Sequence, residues 1–305
     1  MSKKDILTIQ QSDGYHTTVY PNYSKSKELK GSIVIFHGMA EHHKRYHIFV
    51  DFLNQNGYDV YLYDHRGHGT DKKLNELGFV ADQGGFVLLI KDGIEVLNYV
   101  KKHMRTNKLI LFTHSMGSLI GRNVIQYYHD LDAAIFCGTA CPGRLKNICG
   151  IITSSLIVKF KGSEYKSTSL KKAMFETKLF AKLNERTSYD WLTRNNPAVG
   201  AYIHDPYCGY ACSASFYRDI IMLTYYSGQR KRIVKAKKDL PILFISGSKD
   251  PIGNNGKDVS KLFTLYQRLG FQKVDCTLYK DCRHELLNEL NSLEIMNDIL
   301  DWLNK

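Results

Sequence analysis

The sequence predicts an α/β protein whose mostly parallel central sheet is interrupted once by a block of helices. Three observations carry this. Short apolar runs without polar alternation recur along the chain, as strands buried on both faces require. Segments with helical apolar spacing lie between them. The alternation stops over residues 142–240 and then resumes.

The elements follow in order. Residues 5–20 alternate weakly around Asp13-Gly14, which reads as an N-terminal hairpin. Ile33-Val34-Ile35-Phe36 is a buried strand ending at His37-Gly38. Residues 44–55 have helical spacing and close at Asn56-Gly57. Residues 59–63 form the next strand, ending at Asp64. A helix spans 86–103, with Val87, Ile90, Ile94, Leu97 and Val100 on one face. Strand 109–113 leads directly to Ser115, helix 117–129 and strand 133–137. After the interruption come strand 242–246, helix 256–268, strand 273–279 and a last helix, 292–303. The expected organisation is a first core part at 1–141, a helical cap at 142–240 and a second core part at 241–305.

Composition excludes several classes. The chain has 305 residues, 43% of them hydrophobic and 24% charged, a globular balance rather than a disordered one. MSKKDILTIQ carries no apolar leader, and no stretch approaches a membrane span. A soluble, cytoplasmic protein is expected, with peripheral membrane contact as the further option. Seven cysteines, an odd number in that setting, suggest free thiols. Cys208 and Cys212 lack a second ligand pair, so no metal is expected. The formal charge is +12, and residues 144–240 alone carry +11 from 18 Lys/Arg and 7 Asp/Glu. No nucleic-acid motif accompanies this block, so no nucleic-acid partner is expected. Contact with an anionic membrane or simple solubility accounts for it better. Its densest cluster is Arg230, Lys231, Arg232, Lys235, Lys237 and Lys238.

Thr113-His114-Ser115-Met116-Gly117 between strand and helix resembles the G-x-S-x-G nucleophile elbow of α/β-hydrolases, with Thr in place of the first glycine. Taken alone, a Ser there is as often a helix cap. The amide of Met116 would sit at a helix N-terminus, suited to an oxyanion, and Met39, after the first central strand, is the second candidate donor. Asp250 and His284 follow later strands. Either alone reads as an ordinary loop residue. The order Ser115–Asp250–His284, each just past a predicted strand, is the order an α/β-hydrolase uses.

The segments HGMAEHHKRY at 37–46, YDHRGHG at 63–69, THSMG at 113–117, SKDPIG at 248–253 and RHELLNE at 283–289 resemble the signatures of monoglyceride lipases and related bacterial lysophospholipases. They span nearly the whole chain outside the cap. The resemblance implies an α/β-hydrolase fold and Ser115, Asp250 and His284 as the catalytic triad. It implies Met39 and Met116 as oxyanion donors, and Glu41, His42 and Arg66 as supports of the first loop. The implied reaction is hydrolysis of a monoacylglycerol or lysophospholipid ester through an acyl-enzyme, with no cofactor. RHELLNE favours that branch over peptidases. A short-chain esterase, thioesterase or aminopeptidase on the same fold, or an inactive binding protein, remains the alternative. The stretch at 148–158, apolar and followed by Lys159 and Lys161, would either rest on a lipid surface or pack on the body and expose only its lysines.

Overall fold

The computed structural model describes residues 6–305; the start of the predicted hairpin, at Asp5, lies outside them. The chain runs β1 (Leu7–Gln10), β2 (His16–Asn22), β3 (Gly31–Phe36), α1 (His47–Gln55), β4 (Tyr58–Tyr63), α2 (Gly85–His103), β5 (Leu109–His114), α3 (Met116–Val124) and β6 (Ala133–Cys137). Six helices follow: α4 (Arg144–Lys161), α5 (Thr168–Phe175), α6 (Lys178–Ala181), α7 (Asn196–His204), α8 (Ala214–Ser227) and α9 (Arg230–Ile233). The chain ends with β7 (Ile242–Gly247), α10 (Lys257–Arg268), β8 (Val274–Tyr279) and α11 (Ser292–Leu303).

The eight strands form one sheet in the order β1-β2-β4-β3-β5-β6-β7-β8. β1 and β2 pair antiparallel and β2 joins β4 antiparallel; every pairing from β4 to β8 is parallel. Every residue of β3, β4, β5, β6 and β7 is buried. This explains their unbroken apolar character, since both faces carry helices. Val34, Phe36, Leu109, Leu111, Phe136 and Phe244 face the core beneath α2, α3, α8 and α10. Ile33, Ile35, Ile110, Phe112, Ile135 and Ile245 face the core beneath α1 and α11. The period-2 alternation thus separates two cores rather than core from solvent.

Two boundaries differ from expectation. Residues 43–46 form a 3-10 turn before α1 begins. Helix α3 ends at Val124 rather than at residue 129, because its last amides tighten into three-residue turns. Asn123 also turns its side-chain amide across to the Leu223 carbonyl of α8.

The segment between β6 and β7 is helical, but α8 lies in the body. Phe216, Tyr217, Ile220 and Leu223 are buried in the same core as α2 and α3. Helix α4 packs on α8, and Gly150 lets it approach Ile221 closely. Where α8 meets the start of α2, Asp219 is buried against Gly85, and its carboxylate makes no well-formed hydrogen bond, the Phe86 amide approaching it only weakly. Burial raises its pKa from 3.8 to about 6. The folded state therefore holds the proton more tightly than the unfolded chain, and stability falls as pH rises between those values. Asp219→Asn is expected to raise stability at pH 7.5 by on the order of 2–3 kcal/mol. The gain should vanish near pH 3.5; equal melting temperatures at pH 7.5 would refute it.

Candidate active site

Ser115 stands at the turn from β5 into α3 with φ 51° and ψ −118°, a strained conformation for a residue with a side chain. The turn lifts its hydroxyl off the sheet end. Close approach makes it possible, since a β-carbon on Gly117 would collide with the Phe36 carbonyl oxygen. Thr113 fits where the motif has glycine. Its hydroxyl donates to the Ile135 carbonyl at 2.8 Å, and its methyl points at Gly121, which leaves it room.

The structure brings the three residues into one chain of hydrogen bonds. Ser115 Oγ lies 2.8 Å from His284 Nε2, and His284 Nδ1 lies 3.0 Å from Asp250 Oδ2. With the imidazole protonated on Nδ1, it donates to Asp250 and accepts from Ser115. Asp250 is fully buried and also accepts from Ser246 Oγ and the Ile252 amide. Gly138, at φ 61°, lies against the His284 ring, where a β-carbon would sit 3.0 Å from Cε1. Trp191 covers the ring, with centroids 5.2 Å apart.

Met39 lies in the loop after β3 and Met116 opens α3. Among the described residues neither amide donates to a backbone carbonyl. The Met39 loop is held firmly. Glu41 Oε1 accepts from the Gly38 amide at 2.5 Å, from Tyr46 at 2.9 Å and from His114 Nδ1 at 3.2 Å. Arg45 bridges Glu41 and Glu285, meeting Glu285 with two hydrogen bonds at 2.6 and 2.8 Å. Ala40, at φ 52°, has its carbonyl clasped by the Gly209 amide and the Tyr202 hydroxyl.

Burial alone would raise both carboxyls, but Arg45 outweighs it and holds Glu41 well below, and Glu285 below, their usual range. Burial likewise pulls the His114 imidazole down, yet its contact with Glu41 wins and raises it. The stability from the two glutamates is therefore complete above their unfolded value, 4.5, and is lost as pH falls toward their folded values. The stability from His114 is complete below 6.5 and is lost as pH rises through its folded value. Glu41→Gln leaves Arg45 and His114 undercompensated. It is expected to cost about 3 kcal/mol of stability and to slow turnover roughly tenfold through a loosened Met39 loop. Thermal melting beside an ester assay measures both, and an unchanged melting temperature would contradict the first.

Arg66 does not support this loop, as its motif suggested. It pairs with Asp92 on α2 and Asp13 in the β1–β2 turn, and its guanidinium lies 3.9 Å from the Tyr15 ring centroid. His42 does reach across, to Asp205 at 2.8 Å. With Cys208, these form the one group among the described residues able to offer three metal ligands. The Cys208 thiol is pushed up by burial and His42 already bonds Asp205, so the cluster serves as a junction between loop and helical segment. Sequence reasoning missed Arg45, Glu285, His114 and Trp191; the first three lay inside the quoted motifs, but nothing local showed that they meet.

A pocket of about 110 Å³ opens over Ser115. Its floor is Met39, His114, Ser115 and His284, and its walls include Phe175, Tyr189, Trp191, Tyr202, Tyr210 and Tyr217 from the helical segment. A hydroxyl activated by an imidazole–carboxylate pair beside two free amides can carry out acyl transfer.

A family model described as serine aminopeptidase, S33, of the Hydrolase_4 type, matches residues 27–291. The chain belongs to this hydrolase family. Its relatives include a monoacylglycerol lipase of Mycolicibacterium smegmatis, 25% identical over 93% of this chain and 92% of that one. A monoglyceride lipase of Saccharomyces cerevisiae is 24% identical over 94% and 88%. Among solved structures, a thermostable carboxyl esterase from Bacillus coagulans in complex with glycerol superposes with a TM-score of 0.88, at 22% identity and 98% and 97% coverage. A soluble variant of the Saccharomyces cerevisiae monoglyceride lipase with a substrate analog gives 0.74, at 21% identity and 97% and 94% coverage. The predicted α/β-hydrolase fold is thereby established.

Proposed function

We propose that this carboxylic-ester hydrolase cleaves a monoacylglycerol through an acyl-enzyme on Ser115. The observation that carries the reading is the hydrogen-bonded sequence Ser115–His284–Asp250 opening into an aromatic-walled pocket. His284 takes the Ser115 proton as the hydroxyl attacks the ester carbonyl, and Asp250 orients the ring and stabilises its cation. The Met39 and Met116 amides receive the oxyanion. His284 then protonates the departing glycerol oxygen and activates the water that releases the fatty acid. A lysophospholipid is the second reading, favoured by Lys171 at the pocket wall. Pockets for drug-sized ligands run to about 300–1,000 Å³, so a long acyl chain requires the wall at Phe175 and Glu176, at the end of α5, to give way while Tyr202 of α7 keeps its hold on the Ala40 carbonyl.

The experiment compares monobutyrin, monocaprylin, monoolein, lysophosphatidylcholine and leucine p-nitroanilide. The reading expects the highest kcat/KM on a monoacylglycerol, by about tenfold, or 1.4 kcal/mol in the barrier. Higher values on the lysolipid or the anilide would overturn it.

Among the described residues, no helix is long and apolar enough to cross a membrane. Contact with a lipid surface is proposed through α4. Leu145, Ile152, Leu156 and Phe160 are 78%, 55%, 49% and 75% exposed on one face of this helix, with Lys146, Lys159 and Lys161 beside them. The stretch therefore does more than expose lysines. The cluster at 230–238 fits less well: Arg232 bonds the Tyr127 hydroxyl and lies over Tyr226, and Lys238 lies over Phe271. All seven cysteines are free, which supports a cytoplasmic setting. Replacing the four apolar residues with Ser should lower sedimentation with anionic vesicles at least about tenfold, given the area each would bury. Hydrolysis of a soluble ester should hardly change. Unaltered sedimentation would remove α4 from the contact.

A further inference from the structure

A second and larger cavity, of about 860 Å³, lies between the start of α4, the α8–α9 junction and the outer face of α10. It shares no residue with the pocket over Ser115. Five cations line it: Arg144, Arg230, Lys231, Lys261 and Arg268. Its wall contains no Asp or Glu. Among the described residues none of the five is ion-paired. Among the described residues, the one hydrogen bond made by their side chains runs from Lys261 to the Cys141 carbonyl, at 3.3 Å. A nearby carboxylate, Asp258, is occupied by the Cys141 amide at 2.7 Å.

These cations come from segments far apart in sequence, so their convergence is a product of the fold. Unpaired like charges around a concavity repel one another, and a cleft focuses their field on whatever enters. An anion relieves that repulsion. Arg144, Arg230 and Arg268 offer planar forks suited to phosphate oxygens, and the lysines add point charges. One phosphate is too small to meet five cations across a cavity in the size range of ligand sites, about 300–1,000 Å³. The half-buried ring of Tyr225 adds an apolar surface beside the charges.

We propose that this cavity is a binding site for a small molecule bearing two or more phosphate groups. The proposal is independent of the esterase reaction. The group can belong to a soluble oligophosphate or to a lipid headgroup, and the test separates them.

The full chain is titrated calorimetrically at about 50 mM salt, where surface charges are weakly screened. The probes are inorganic tripolyphosphate, ATP and water-soluble dibutanoyl phosphatidylinositol bisphosphate. Saturable one-to-one binding is expected, with a Kd below about 1 mM for at least one probe. Tripolyphosphate or ATP binding identifies a soluble ligand; binding of the inositide alone identifies a headgroup. The triple change Arg144→Gln, Arg230→Gln, Lys231→Gln and the double change Lys261→Gln, Arg268→Gln should each weaken binding at least about tenfold, as charge-assisted hydrogen bonds are lost. Lys102→Gln with Lys108→Gln, exposed outside the cavity, should leave it unchanged. Turnover of a soluble p-nitrophenyl ester reports folding of every variant. No saturable binding to any probe, or binding that the cavity variants retain, would overturn the proposal.

Discussion

Ser115→Ala is expected to lower turnover of a p-nitrophenyl ester by on the order of 10⁴–10⁶-fold, while the protein melts as before. The hydroxyl is the single reacting atom at the turn, and His284 Nε2 lies 2.8 Å from it with no other nucleophile recorded in its place. Alanine meets the same backbone strain at φ 51° that serine does, so the elbow gains no new penalty. Labelling by a fluorophosphonate should disappear together with turnover. His284→Ala should do comparable damage, because groups that act as a unit do not contribute separately. Turnover within a few-fold of the parent would mean that another residue carries the acyl group.

Asp250→Asn should lower kcat by about 10⁴-fold with KM little changed. Asp250 Oδ2 accepts from both His284 Nδ1 and Ser246 Oγ inside a fully buried site. An amide nitrogen placed there would face the Nδ1 proton. Relief comes from moving that proton to Nε2, which then donates to Ser115 instead of accepting from it. The cation formed during attack would also lose its compensating charge. The pocket walls come from other segments, so substrate binding is spared. The measurement is steady-state kinetics on a soluble ester. A loss confined to KM would assign Asp250 to binding and leave the imidazole without its acid.

The five central strands were legible because burial on both faces leaves an unbroken apolar run, and that signal is local. The elbow was legible for the same reason: strand, small turn and helix adjoin in the chain. Thr113 was an open departure there until the structure showed Gly121 opposite its methyl. Arg45 and Glu285 were in view in the quoted motifs, yet 240 positions separate them. Neither residue's neighbours in sequence differ from those of a surface ion.

Periodicity also left the helices of 142–240 undivided. It reports that one face is apolar, not what covers that face. Helix α8 buries its face in the body core, whereas α4 turns Leu145, Ile152, Leu156 and Phe160 outward. The basic run at 230–238 likewise looked like one surface. In space Arg232 and Lys238 turn onto aromatic rings, while Arg230 and Lys231 join three distant cations around a cavity.

The sequence by itself determined which segments are buried strands, where they end and the chain order of Ser115, Asp250 and His284, because each is written in residues that adjoin along the chain. Tertiary structure alone decided the partners of Arg45, the side on which α4 shows its apolar face and the meeting of five cations. Those depend on which surfaces close over one another, and the entropy and burial that settle that choice belong to the whole fold.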